Sequence, residues 1–242
     1  MSGGSGLVVV YGAAGDAHDD FNHNETDQWG IPSGGDGIEE WSMFPEVGGG
    51  VPTTCFQVAG GFGSMAYSTD TGGVQRATLG NSAVTTGDYP WMTDSYTMTV
   101  RFKFSGIDLP DSDLAVLHIT PRRRVPGPGS VREDSIEIQA STFDPFVFLS
   151  GLVGSGDDAA ATVWANDVFY LLTYERTSSA INVEILREDT EVTTTLTATT
   201  SDNSHLSSRF EVAFTQDLAQ QLSVLYIDYI AFGADPVVIL GR

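Results

Sequence analysis

The fold is decided by a stretch near the end of the chain, which reads Leu222-Ser223-Val224-Leu225-Tyr226-Ile227-Asp228-Tyr229-Ile230-Ala231-Phe232-Gly233. Its β-branched and aromatic residues, with Asp235-Pro236 just beyond, predict a strand. Both faces of this strand are apolar, so we expect it in the middle of a layered β structure. Its one charge, Asp228, then needs a hydrogen-bond or metal partner or a place near an edge, because an unpaired buried carboxylate is costly. Alternation puts Leu222, Val224, Tyr226, Ile230 and Phe232 on one face, and Leu225, Ile227, Tyr229 and Ala231 on the other.

Many further short strands are predicted upstream, with turn residues between them. The clearest is Tyr96–Phe104, where apolar residues alternate with Thr, Arg and Lys. One helical turn is predicted around Gln216–Gln220, and the strand spacing favours a sandwich or barrel. The other predicted strands are Trp41–Phe44, Thr54–Ala59, Ser64–Ser68, Val74–Leu79, Leu114–Ile119, Ser135–Ala140, Phe146–Leu149, Ala161–Trp164, Phe169–Tyr174, Ile181–Arg187, Thr193–Thr199 and Phe210–Phe214.

The chain is predicted to hold one domain. Residues 1–15 form a flexible Gly/Ser-rich arm, whose apolar run Leu7–Tyr11 either pairs within its own sheet or lies on a neighbouring subunit. Residues 16–242 form a single β-sandwich with a loop-rich N-terminal portion, since no linker separates two cores. We expect a homo-oligomer, assembled through the arm or the apolar tail Val237–Leu240.

The charge balance predicts an unusual environment. There are 32 acidic residues against 11 basic ones, for a net charge of −21, and Lys103 is the single lysine. Such a surface suits molar salt, where a Debye length of about 3 Å screens its self-repulsion. The alternative is an ordinary acidic extracellular protein. In both cases the acidic surface makes nucleic acid a poor partner.

Membrane insertion and a disulfide framework are not expected. No stretch approaches the roughly 18 consecutive apolar residues of a membrane helix, and Cys55 is the only cysteine. The first residues lack the basic and apolar segments of a signal peptide, which predicts assembly in a host cytoplasm and release by a route such as lysis.

Four segments in this order resemble the concanavalin A-like lectin/glucanase jelly-roll family, which includes laminin-G-type domains. The resemblance implies an all-β fold, a jelly-roll sandwich of two antiparallel sheets. It leaves function open, because lectins, glycosidases, lyases and structural modules share this fold. The segments are Asp19-Asp20-Phe21-Asn22 with Trp29-Gly30, Ser95–Phe104, Val168–Glu175 followed by Ile181–Arg187, and Leu225–Gly233.

The segment Glu133-Asp134-Ser135-Ile136-Glu137 is the candidate catalytic motif. The resemblance implies a Glu-x-Asp-x-Glu strand in the glucanase branch, where three carboxylates on one face suit retaining hydrolysis. Here Ser135 replaces the central Asp. We therefore expect a solvated polar face, with Glu137 binding sugar as one alternative and hydrolysis by Glu133 and Glu137 as another.

A structural Ca²⁺ joining Asp19 or Asp20 to Asp228 is predicted from the same resemblance, which implies that calcium often ties the first and last strands. The segment around Asp19 is rich in oxygen ligands, which Ca²⁺ prefers. A hydrophilic loop with Asx-type turns is the alternative.

Two further groups of residues are candidates for contacting a protein neighbour or a sugar. Arg122, Arg123 and Arg124 lie in a predicted Pro/Gly-stiffened loop, which either docks an acidic neighbour or anionic sugar or balances nearby carboxylates. Trp91 and Trp164, with Glu137, are candidates for stacking and holding a sugar; core packing is the alternative for the tryptophans.

The function expected from these features is a non-enzymatic module on the surface of a halophilic, archaeal virus, as a decoration, turret or fibre subunit. Its expected partners are other virion proteins and host-surface glycans. A carbohydrate-binding lectin of a halophilic host is the first alternative, and a glycoside hydrolase is the second.

Overall fold

The computed structural model describes residues 17–19, 21, 42–45, 56–66, 75–79, 95–107, 115–124, 132–140, 146–150, 158–199, 208–216 and 223–233. Within some strands only the backbone is described. The predicted arm at 1–15, the tail Val237–Leu240 and most of the predicted helical turn lie outside these residues. The single-domain division therefore stays a prediction.

Fifteen strands account for the regular structure of the described residues. The first seven are β1 (Ala17–Asp19), β2 (Ser42–Pro45), β3 (Phe56–Ala59), β4 (Phe62–Ala66), β5 (Gln75–Leu79), β6 (Tyr96–Ser105) and β7 (Ala115–Arg124). The others are β8 (Arg132–Ala140), β9 (Phe146–Ser150), β10 (Asp158–Ala161), β11 (Tyr170–Arg176), β12 (Ala180–Arg187), β13 (Val192–Thr199), β14 (Ser208–Gln216) and β15 (Val224–Gly233).

The strands form two antiparallel sheets, which confirms the predicted all-β jelly-roll sandwich. The eight-stranded sheet has the order β13-β12-β11-β6-β15-β4-β3, with β1 also paired to β15. The seven-stranded sheet has the order β10-β9-β8-β7-β14-β5-β2. Strand β15 is therefore a central strand, as predicted. Across the described residues, no helix is long and apolar enough to cross a membrane.

A β-bulge at Asp228 changes which residues of β15 face the core. Ile227 pairs with Phe102 and Tyr229 pairs with Arg101, so Asp228 is an extra residue in the ladder. Leu225 and Ile227 before the bulge, and Ile230 and Phe232 after it, all belong to the core. The prediction from strict alternation, which put these residues on two different faces, is wrong because it did not allow for the inserted residue.

Phe21 fills the space beside this bulge. β4 pairs with β15 at Val224–Ile227, and β1 pairs with it at Ile230–Phe232, so the two short strands share one edge of β15. Phe21 follows β1 with a positive φ of 51° and is fully buried. A Cβ on Gly63 would lie 2.5 Å from the Phe21 ring, so Gly63 is required for this packing.

Three arginines predicted in a loop lie instead at the end of β7. Arg122, Arg123 and Arg124 pair along the backbone with β8, after a register shift between Ile119 and Arg122. The shift contains Pro121, which has no N–H for a regular ladder and is tolerated at such an irregularity.

A buried ion pair joins the two sheets through the core. The Nε of Arg176 on β11 donates to Oδ2 of Asp134 on β8 at 3.1 Å, and both side chains are fully buried. The hydroxyl of Tyr174 donates to the same oxygen at 2.9 Å. Since Asp134 faces inward, Ser135 next to it on β8 faces outward.

Removing the charge of Asp134 should therefore destabilise the sandwich. Asp134→Asn removes the carboxylate that faces the buried Arg176 guanidinium, and breaking a buried ion pair in this way costs about 3–5 kcal/mol. The free energy of unfolding, measured by denaturant titration, should fall accordingly. Asp189→Asn is the control, because its partner Arg187 lies on the surface, and exposed pairs contribute little. Equal effects of the two substitutions would contradict the role given to Asp134.

Candidate functional site

The outer face of the seven-stranded sheet carries the candidate site. Along β8, Asp134, Ile136 and Ile138 point into the core and are fully buried. The alternating residues Ser135 and Glu137 are half-buried on the other face, in agreement with the predicted polar face. The inward direction of Asp134 thus fixes the outward direction of Glu137.

Glu137 lies in the middle of a polar group on this face. Gln139 Nε2 donates to Glu137 Oε1 at 2.7 Å. His118, its pairing neighbour on β7, places Nδ1 3.8 Å from Oε2 of Glu137, and the two side chains are 39% and 36% exposed. The carboxylate therefore keeps an oxygen accessible to a ligand.

Two phenylalanine rings lie beside this polar group. Phe148 on β9 pairs with Glu137 across the ladder, and its ring centroid is 5.7 Å from that of Phe146. Phe148 is 38% exposed, which is unusual for a large apolar residue. On the far side, β10 presents only Ala159 and Ala161 opposite the rings, so small side chains leave them open. We call Phe146, Phe148, Glu137, Gln139 and His118 together the Phe–Glu surface.

The Phe–Glu surface suits a ligand that has both an apolar face and hydroxyl groups. Ring faces bind flat apolar surface, while the carboxylate accepts hydrogen bonds and the amide both donates and accepts them. Ligand sites commonly combine apolar contacts with a few placed polar groups in this way.

Glu137 is the only described acidic side chain on this part of the sheet. Retaining and inverting hydrolysis both need two carboxyl groups flanking the bond. Ser135 occupies the middle of the motif, and Glu133 is described only by its place in β8. Hydrolysis by Glu133 and Glu137 therefore stays an alternative.

Asp228 has an arginine as its partner. Arg101 Nη1 donates to Asp228 Oδ2 at 2.6 Å, and Arg101 Nε and Nη2 donate to the two oxygens of Glu188 at 2.7 and 2.8 Å. Burial alone would lower the pKa of Arg101, but the hydrogen bonds from Glu188 and Asp228 outweigh burial and raise that pKa above its usual value. The guanidinium therefore stays charged and balances the buried aspartate.

The described residues do not form a calcium site at Asp228. They contain no group of three or more His, Cys, Asp or Glu side chains that could hold a metal, and one carboxylate oxygen already faces a guanidinium. Pairing of β1 with β15 brings the backbone of Asp19 opposite Ile230, close to Asp228, as predicted. The side chain of Asp19 and all of Asp20 lie outside the described residues, so calcium binding by these three aspartates stays a prediction.

Among the other predicted binding residues, only Trp164 has a described side chain, and it does not join the Phe–Glu surface. Trp164 is only 3% exposed and packs in the core against Phe104 and Tyr170, so it offers no stacking surface to a sugar. Trp91 and the side chains of Arg122, Arg123 and Arg124 lie outside the described residues.

The two phenylalanines were missed by the site prediction although the sequence contains a signal for them. In Phe146-Val147-Phe148-Leu149 the fully buried residues are Val147 and Leu149, so the phenylalanines share the outer face. His118 joins the site only because β7 pairs with β8, and sequence spacing does not reveal that pairing.

Comparison with known proteins identifies the fold. No protein-family model matches the sequence, and no curated protein matches it. Among solved structures, an acidic lectin of winged bean complexed with methyl-α-D-galactose is similar, with a TM-score of 0.58, 10% identity, and coverage of 90% of this chain and 96% of that one. The Ca²⁺-bound exoplasmic/lumenal domain of VIP36 has a TM-score of 0.55, 15% identity, and coverage of 89% and 90%. The carbohydrate recognition domain of Emp47p has a TM-score of 0.55, 11% identity, and coverage of 92% and 96%. The chain thus has the concanavalin A-like lectin fold.

The arginine pairing of Asp228 leads to a test of the calcium prediction. Asp228→Asn should lower the free energy of unfolding by about 1–3 kcal/mol, because a hydrogen bond between buried charged groups is weakened. Since the lost partner is Arg101, the loss should be equal in CaCl₂ and in EGTA at matched ionic strength. Wild-type protein that gains stability in CaCl₂ while the variant does not would instead establish Asp228 as a calcium ligand.

Proposed function

We propose that this chain is a non-enzymatic carbohydrate-binding module that holds a saccharide on the Phe–Glu surface. The observation that carries the proposal is the exposed ring of Phe148, which lies beside the tilted ring of Phe146 and is paired across the ladder with Glu137. The lectin fold shared with structures such as the galactoside complex of winged bean lectin adds support.

In the proposed complex, the apolar face of a sugar ring lies on Phe148. Glu137 accepts a hydrogen bond from a hydroxyl group through Oε2, while Gln139 holds the carboxylate in place through Oε1. Gln139 and His118 supply further polar contacts, so the rings provide area and the polar group provides orientation.

A glycan array in 2 M KCl, followed by calorimetry with the strongest ligand, tests this proposal. Phe148→Ala should weaken binding at least fivefold, because truncating an aromatic residue at the centre of a binding site costs more than about 1 kcal/mol. Val192→Ala is the matched control, since Val192 is an apolar residue that is 59% exposed but lies on β13. An array without binding above background, or equal affinity of Phe148→Ala and wild type, would refute the proposal.

The alternative function, glycoside hydrolysis, is tested by a separate activity assay. A panel of β-glucans in 2 M salt should give no products, and Glu137→Gln should change only affinity. Release of sugars by the wild type that disappears in Glu137→Gln would make the chain a glycosidase.

We infer a halophilic virus particle as the setting of this module. The support is compositional: the net charge of −21 and the single lysine suit molar salt. In this setting, Arg122, Arg123 and Arg124 dock acidic virion neighbours, Trp91 is a further candidate for sugar stacking, and the chain assembles as a homo-oligomer. Immunogold labelling of purified particles should place the protein on the virion surface, and its confinement to cell extracts would contradict the setting.

A further inference from the structure

The single lysine of the chain lies on the opposite side of the sandwich from the Phe–Glu surface. Lys103 is on β6 and pairs with Tyr226 of β15. Its inward neighbours Phe102 and Phe104 are buried in the core, so Lys103 projects from the outer face of the eight-stranded sheet, where it is half-buried.

Three aromatic rings surround the ammonium group of Lys103. Its Nζ lies 5.0 Å from the ring centroid of Phe169 and 5.4 Å from those of Phe62 and Tyr226, within the range of cation–π attraction. Phe62 stacks with Phe169 at 6.0 Å and meets Tyr226 edge-on at 6.1 Å. All three rings are half-buried and so keep some surface in solvent. We call Lys103 and these rings the lysine cage.

The ammonium group has no carboxylate partner among the described residues. Of the Lys and Arg side chains that the structure describes, Arg101, Arg176 and Arg187 are each ion-paired with Asp or Glu. Among the described residues, Lys103 contacts the three rings and forms no ion pair. The chain has 32 acidic residues. Among its described basic side chains, Lys103 is thus the exception that has no carboxylate partner.

Two acidic groups near the cage are already engaged. Glu188 and Asp228 both bind Arg101, whose guanidinium lies 3.7 Å from the centroid of Phe169. The rings therefore hold the ammonium at the surface without neutralising its charge, and its N–H donors stay available to a ligand.

We propose that the lysine cage is a second binding site, which takes a saccharide carrying a carboxylate or sulfate group. Charge complementarity selects the anionic group, which accepts hydrogen bonds from Lys103. The exposed parts of the ring faces select a sugar over a bare inorganic anion, because they bind its apolar C–H surface. This inference does not depend on the Phe–Glu surface, since the two sites lie on opposite outer faces.

The single lysine allows a direct experiment on the intact chain. Labelling with ¹³Cε-lysine gives one side-chain signal, which reports on the cage alone. In 2 M KCl, sodium glucuronate or glucose 6-sulfate should shift this signal in a saturable way, and the pair distinguishes carboxylate from sulfate recognition. Glucose should cause no shift, because it lacks the anionic group.

Variants separate this site from the Phe–Glu surface. Phe62→Leu should weaken the response to the acidic sugar at least fivefold, and Tyr226→Leu provides a second test if Phe62→Leu does not fold. Phe148→Ala should leave the response unchanged, so failure of one site is distinguishable from failure of the other. The proposal is overturned if neither sugar gives a saturable shift, if sodium sulfate gives an equal one, or if only an acidic peptide binds.

Discussion

The bulge at Asp228 is the constraint on which the eight-stranded sheet depends. One inserted residue lets Leu225 and Ile227, and then Ile230 and Phe232, all reach the core from one strand. Without it, alternation would turn one of these pairs toward solvent and expose apolar area worth about 25 cal/mol per Å². The buried carboxylate that the bulge introduces is stabilised by Arg101, which is itself held by Glu188.

Buried contacts in the core also determine which side chains lie on the outer surfaces of the sandwich. Arg176 and Asp134 join the sheets through a buried ion pair, and the inward direction of Asp134 determines that Glu137 faces out beside Phe148. On the other sheet, the pairing of β15 with β6 places Tyr226 next to Lys103. Each proposed site therefore lies on strands whose inward side chains are fixed in the buried core. This gives each site a rigid support.

Alternation and turn residues were enough to predict a sandwich or barrel and the central place of Leu222–Gly233, and the family resemblance narrowed this to a jelly-roll sandwich. Alternation could not reveal the bulge, because a pattern with a period of two does not show an inserted residue. The continuation of β7 past Pro121 to Arg124 was also missed, because the proline and glycine residues there favour a loop. Two short strands, β1 and β10, also differ from the prediction. Strand β1 was not predicted, and β10 was predicted to begin at Ala161, whereas it begins at Asp158. In the candidate site, Glu137 was predicted but its neighbours were not, because His118 and Phe148 reach it only through strand pairing.

Saccharide binding by the outer face of the seven-stranded sheet can be tested residue by residue. Backbone amide shifts are recorded during titration with the strongest glycan ligand in 2 M KCl. The shifted amides should cluster on β7, β8 and β9 around His118, Glu137 and Phe148. Shifts confined to other elements, with these three strands unaffected at saturation, would contradict it.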